Sequence, residues 1–180
     1  QPPGADIARS FAEIGTRVVL VDGDAKALTR IASQDPDQIE TLVCNDCSSQ
    51  VASVLSDAWG TAPLSMIINL MPVERPGGIT EQMGNLTNVL RGMLRGLIAG
   101  QGSMVSLVAR PEDPLALVAH GMMAAMQSGS TALGKAMAGH GVRVHLVSLP
   151  KEEPEIAVEM VMHLASQQAR RLASDRFDMV

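Results

Sequence analysis

The sequence predicts an α/β protein: a doubly wound parallel sheet in a three-layer α/β/α arrangement. Three observations carry that prediction. Short β-branched runs at Arg17–Asp22, Thr41–Cys44, Leu64–Leu70, Ser103–Val108 and Val142–Ser148 are continuously apolar rather than alternating, as expected of strands buried on both faces of a parallel sheet. Helical patterns lie between them, at Ala5–Ile14, Asp24–Ala32, Ser49–Trp59, Ile79–Leu97, Pro114–Gly139 and Pro154–Ser166. The connections are short, which is how strand–helix–strand units wind a parallel sheet.

Each element has a local reason. Gly15 and Gly60 follow helices where a C-cap glycine belongs. Pro114 and Pro154 stand where a first-turn proline is tolerated, because the missing amide has no helical partner there anyway. The first helix starts almost at residue 1 with no strand before it, although in a fold of this kind that strand would be central. No internal repeat or low-complexity linker divides the chain, so residues 1–180 read as one domain.

Composition excludes several classes of function. A net charge of −5 leaves no basic stripe to neutralise phosphates, so no nucleic-acid partner is expected. Arg91, Arg95, Arg170 and Arg171 form only short local pairs, read as solvated helix faces. No run approaches the ~20 apolar residues of a membrane span. Two cysteines make a disulfide framework unexpected and the reducing cytoplasm the default compartment. Cys44 and Cys47 make a C-x-x-C between a strand and a helix, either a redox dithiol or two small residues at a strand end. A four-thiolate zinc site within the chain is excluded, and no metal site is assigned. With two Phe, one Trp and no Tyr, the core rests on aliphatic residues and twelve Met.

In order, these segments resemble the short-chain dehydrogenase/reductase family over nearly the whole chain. Ile7 through Asp22 is similar to the family's first helix and second strand, and Asn85-Leu86-Thr87 to its mid-chain helix signature. Gly102 through Leu107 is similar to the strand that ends in the catalytic serine, and Gly141 through Val147 to the late G-I-R-V-N-x-V strand. Glu153 through Ala157, with Leu164-Ala165-Ser166, looks like the last helix. The resemblance implies a Rossmann-like fold and an NAD(P) site at the carboxyl ends of the strands.

It also implies site residues. Gly4 is the one match to the family's glycine-rich turn, which here reads Gln1-Pro2-Pro3-Gly4-Ala5-Asp6; the prolines lack amide protons and Asp6 would lie close to a phosphate. Asp22 matches the acid that binds the adenosine ribose and favours NAD over NADP, and it reads equally as a turn or helix N-cap aspartate. Asp46 matches the adenine-contacting acid, and Asn69 the N-N-A-G turn, with bulky Leu70 and Met71 in place of small residues. Asn85 matches the family's asparagine, whereas its serine, tyrosine and lysine fall on Ala109, Ala119 and Met123. Side chains without an exchangeable proton cannot act as acid or base. His120 is one residue, or ~100° of helix, from the tyrosine position, and Lys135 lies well down the same helix. Leu149-Pro150 runs almost at once into the final helix, so the family's mobile substrate cover is missing.

Two readings of function follow. The first is a non-catalytic binding or scaffold module with no cofactor, associating as a dimer or tetramer through the Met-rich helices 79–97 and 114–139. The second is an NAD(P)-dependent oxidoreductase with an unusual site, taking NAD.

Overall fold

A computed structural model describes residues 3–44, 49–59, 61–70, 78–150, 154–166 and 176–178. The elements run α1 (Pro3–Glu13), β1 (Val18–Asp22), α2 (Ala25–Ala32), β2 (Ile39–Val43), α3 (Ser49–Trp59), β3 (Met66–Asn69), α4 (Ile79–Gly100), β4 (Ser103–Ala109), α5 (Leu117–Met137), a 3-10 turn (Ala138–His140), β5 (Arg143–Leu149), α6 (Pro154–Ala165) and β6 (Arg176–Asp178).

The strands that the periodicity predicts all form, each within two residues of its expected bounds, and every pairing is parallel. They divide between two sheets, β1–β2 and β3–β4–β5–β6. Strand β6 was not expected, because Arg-Phe-Asp is too short to show a period; its register is set by β5, with Val147 opposite Phe177.

Alternation along β4 and β5 builds the layers. Val105, Leu107, Val147 and Leu149 turn to one face, where they pack on Ile7 and Phe11 of α1 and on Ala157, Val161 and Leu164 of α6. Met104, Val108, Val144 and Leu146 turn to the other, against Leu86 of α4 and Met126 of α5. Helix α3 packs on α4 through backbone-close contact: a Cβ on Gly92 would stand 2.6 Å from the Ala52 carbonyl oxygen. Gly96 and Gly100, one and two turns further along α4, would likewise press on the Ala62 and Leu64 carbonyls at 2.6 and 2.3 Å. Residues four apart share a helix face, so this glycine stripe lets α4 lie directly on α3 and on the segment entering β3.

Caps follow local chemistry, with two corrections. Gly15 takes φ +76°, with Gly15 N–H on the Ala12 carbonyl at 2.8 Å and Thr16 N–H on Phe11 at 3.0 Å, the glycine C-cap the sequence predicts. Pro154 opens α6 as expected, and Gly60 lies outside the described residues. Pro114, however, does not open a helix. The Asp113 carboxylate accepts the Leu115 N–H at 2.8 Å, and that turn delays α5 to Leu117. Helix α4 runs to Gly100, past the expected Leu97, and its left-handed cap is Gln101 at φ 47°. Gly102 must stay glycine for another reason, since a Cβ there would meet the Leu64 carbonyl oxygen at 2.2 Å.

One expectation fails in a telling way. The apolar runs predict burial on both faces for all the strands, and β4 and β5 comply, apart from Ala109 and Arg143 at their ends. Strands β1 and β3 are equally apolar but only part-buried. Each has a partner on one side alone among the described residues.

Candidate active site at the carboxyl ends of the strands

A cavity of about 800 Å³ lies between β1 and β3, within the ~300–1,000 Å³ range of ligand pockets. At the carboxyl ends of the strands its wall includes Gly4, Asp22, Asn69 and Asn85. The fold thus brings together four residues that the sequence singles out, from two helices and two strands. Asp46 and Cys47 lie outside the described residues.

Gly4 belongs to the first turn of α1, where the helix dipole favours negative charge. That end already carries an acid: the Asp6 carboxylate in the same turn accepts from Arg9 Nη1 at 2.7 Å, and both side chains stay partly exposed. An incoming phosphate would meet this carboxylate before the dipole.

The Asp22-Gly23-Asp24 turn divides its two carboxylates between tasks. Asp24 is the N-cap of α2, accepting the Lys26 and Ala27 N–H groups at 3.0 Å each. Asp22 Oδ1 accepts the Asp24 N–H at 2.7 Å. The structural role expected for Asp22 is therefore that of turn organiser, not of cap. The turn also holds its carboxylate at the cavity edge, which is where an adenosine ribose would need an acceptor. Asn69 ends β3 opposite Ser106 of β4, and Leu70 lines the cavity beside it.

The remaining candidates stand elsewhere. Ala109 is exposed at the end of β4. Ala119 is exposed in the first turn of α5, and Met123, one turn on, packs beside the Leu86–Met126 cluster. None of the three lines the cavity. His120 is exposed, with Nε2 3.2 Å from the Asp113 carbonyl oxygen, so its ring rests on the loop that leads into α5. Lys135 is exposed near the far end of the same helix. Ala109, Ala119 and Met123 carry no side-chain exchangeable proton.

Sequence reasoning missed the longer walls of this cavity. It extends down the whole of β1 and β3 to Arg17, Ser103 and Arg143 at the amino ends. Among the described residues no group of three or more His, Cys, Asp or Glu could hold a metal ion, and no helix is long and apolar enough to cross a membrane.

No family model matches the chain. It is 25% identical to galactitol 2-dehydrogenase (L-tagatose-forming) of Cereibacter sphaeroides over 179 residues, covering 87% of this chain and 70% of that protein. Among solved structures, a metagenomic short-chain oxidoreductase in complex with NADP superposes with a TM-score of 0.81 at 22% identity, over 100% of this chain and 94% of the other. Serine dehydrogenase from Escherichia coli gives 0.81 at 15% identity, over 99% and 93%. An apo short-chain oxidoreductase from Clostridium thermocellum gives 0.82 at 13%, over 99% and 86%. The chain therefore has the Rossmann-like fold of these oxidoreductases.

Proposed function

We propose that a chain with this fold is a divergent short-chain dehydrogenase/reductase whose proton-transfer set is gone and which serves as a binding or assembly module. One observation carries the reading: the serine, tyrosine and lysine positions of the family hold Ala109, Ala119 and Met123, and the chain contains no tyrosine at all. A single replacement could be rescued by a neighbour, but the neighbouring His120 is turned onto its own loop. Without an acid or base at the reacting carbon, the fold retains shape recognition and loses turnover.

Assembly is proposed to run through helices 79–97 and 114–139 as a homodimer or homotetramer. Leu115, Leu117 and Val118, 83%, 76% and 71% exposed at the start of α5, support this. Apolar residues so exposed and adjacent mark an association surface. Light scattering at micromolar protein is expected to give more than a monomer; a monomer would refute this part.

The gathering of Gly4, Asp22, Asn69 and Asn85 on one cavity favours a second reading, an NAD(P)-dependent oxidoreductase with an atypical site. Titrating NADH and NADPH while following nicotinamide fluorescence separates the two. No binding at millimolar cofactor is expected. Micromolar binding would revive the enzyme, and galactitol and L-tagatose, named for the Cereibacter relative, would then be the first substrates to try.

A further inference from the structure

The two sides of the molecule carry surface charge of opposite sign. On α4 and α5 the exposed charged groups are Arg91, Arg95 and Lys135 against Glu81, with His120 the one histidine. The neighbouring α3 adds Asp57. On α1 and α6 the order reverses. Glu13, Glu155 and Glu159 are exposed, Asp6 and Arg9 neutralise each other at 2.7 Å, and His163 is the remaining titratable group. The net charge of −5 is therefore spread unevenly, and α4 is locally basic.

On each side the charges form a stripe. Arg91 and Arg95 stand four residues apart on α4, and Glu155 and Glu159 stand four apart on α6. Residues at that interval lie one above the other on a helix face, about 6 Å apart along its axis. The two pairs therefore share one spacing and differ in sign. Burial fixes where they point. Gly92, Met93, Gly96 and Leu97 hold the inner side of α4, and Ala157, Val161 and Leu164 hold that of α6, so both charged stripes face outward. None of the four has an ion-pair partner among the described residues; the pairs found there are Arg9–Asp6 and Arg17–Glu40. Half-buried Leu94 and Ile98 flank the arginines, and half-buried Ile156 and Met160 flank the glutamates. An apolar strip edged by charge is the composition of a protein interface.

The match of spacing and sign selects the occupant, because this chain itself presents the complement of its own α4. A two-fold contact between α4 helices would instead set Arg91 and Arg95 against the same two arginines of the other copy, and like charges face to face disfavour it. Docked on α6, each guanidinium meets a carboxylate, for which its parallel N–H groups are shaped. Lys26 and Arg30 make a second exposed basic pair, on α2. That helix has eight residues and opens on the Asp24 carboxylate, which offsets the lysine beside it.

We infer that α4 of one copy docks on α6 of a second, with Arg91 and Arg95 against Glu155 and Glu159. This rests on the reading that the chain self-associates, and it names the faces that meet. Exposed ion pairs contribute little each. The charges therefore choose orientation and speed encounter, while Leu94, Ile98, Ile156 and Met160 supply apolar area. A head-to-tail contact leaves a free α4 at one end and a free α6 at the other. Assembly by this contact does not stop at two copies; a closed ring or an open chain satisfies it.

Light scattering of the 1–180 chain at rising protein concentration tests it. In about 0.1 M salt the mass is expected to climb past two copies. In about 1 M salt, where the Debye length shrinks from about 10 to about 3 Å, it should fall at least twofold. Arg91→Glu with Arg95→Glu, and Glu155→Arg with Glu159→Arg, should each lose the growth, since each chain then carries one sign on both faces. Mixed in equal amounts, the two variants offer both contacts again, and growth should return. Lys26→Glu with Arg30→Glu makes the same change in net charge and should leave growth in place. Growth that salt does not weaken overturns the inference, and so do variants that grow like the parent, a mixture no larger than its parts, or equal loss with the α2 pair reversed. Each of these leaves self-association itself standing. A parent that is monomeric at every concentration overturns both. A monomeric parent that binds polyglutamate at micromolar concentration assigns α4 to a foreign acidic partner, and overturns the contact between copies just as well.

Discussion

Two glycine-to-alanine changes about 12 Å apart along one helix, by its ~1.5 Å rise per residue, should move stability in opposite directions. Gly84 is exposed in α4, and a Cβ there meets nothing within 4 Å. Alanine is worth about 0.5–1 kcal/mol over glycine in a helix interior, so Gly84→Ala should stabilise by that amount. Gly92 gains the same propensity, but its new Cβ would lie 2.6 Å from the Ala52 carbonyl oxygen, where ordinary contact begins at 3.4 Å. Neither group can swing away, because both belong to helix backbone, and α3 must shift bodily. Overpacking of this kind costs about 1–3 kcal/mol, leaving Gly92→Ala destabilised by about 0.5–2 kcal/mol. For a chain of this size each kcal/mol moves Tm by roughly 2–4 °C. Thermal and urea unfolding should place Gly84→Ala above the parent and Gly92→Ala below it. If the two variants shift together, the close approach of α4 to α3 is not what holds Gly92.

Asp24→Ala removes the cap that serves two amides of α2 and should cost about 1 kcal/mol by urea unfolding, with Asp24→Asn near neutral. Met126→Ala empties a fully buried position between β4, β5 and α4 and should cost about 2–5 kcal/mol; a change under 1 kcal/mol would show that α5 does not depend on that contact. The Arg17–Glu40 pair is solvent-exposed at both ends, so a double-mutant cycle with Arg17→Ala and Glu40→Ala should return less than about 1 kcal/mol of coupling.

Where a residue's behaviour is decided by its near neighbours, the sequence could be read directly. Gly15 caps α1 because nothing else there takes φ +76° cheaply, and the apolar runs of β4 and β5 match their burial. Pro114 misled because a carboxylate one residue earlier offered the backbone a better bond than the helix did. Gln101 was unreadable as a left-handed cap with glycines on either side; both flanking glycines are held by close approach to Leu64, which only tertiary packing reveals. At the site, the order of segments was enough to gather Gly4, Asp22, Asn69 and Asn85. Which of Asp22 and Asp24 caps α2 depended on hydrogen-bond geometry. The half-burial of β1 and β3 could not be read at all, since an apolar strand looks the same whether or not its second neighbour is present.

The packing of α1 against α6 has a consequence for how the molecule is made. Ile7 and Phe11 find Ala157, Val161 and Leu164 on their face of the core, so the first helix described waits for the last. At ~5–20 residues per second of synthesis, the apolar side of α1 stays without these partners for on the order of ten seconds after it emerges. During that interval the β1–β2 unit can close on α2 alone, and β3 to β5 can form their own ladder. Docking of the two halves is then a late event that depends on the final helix, and interrupting translation before Pro154 would leave the first half as a sticky, half-built piece for chaperones to hold.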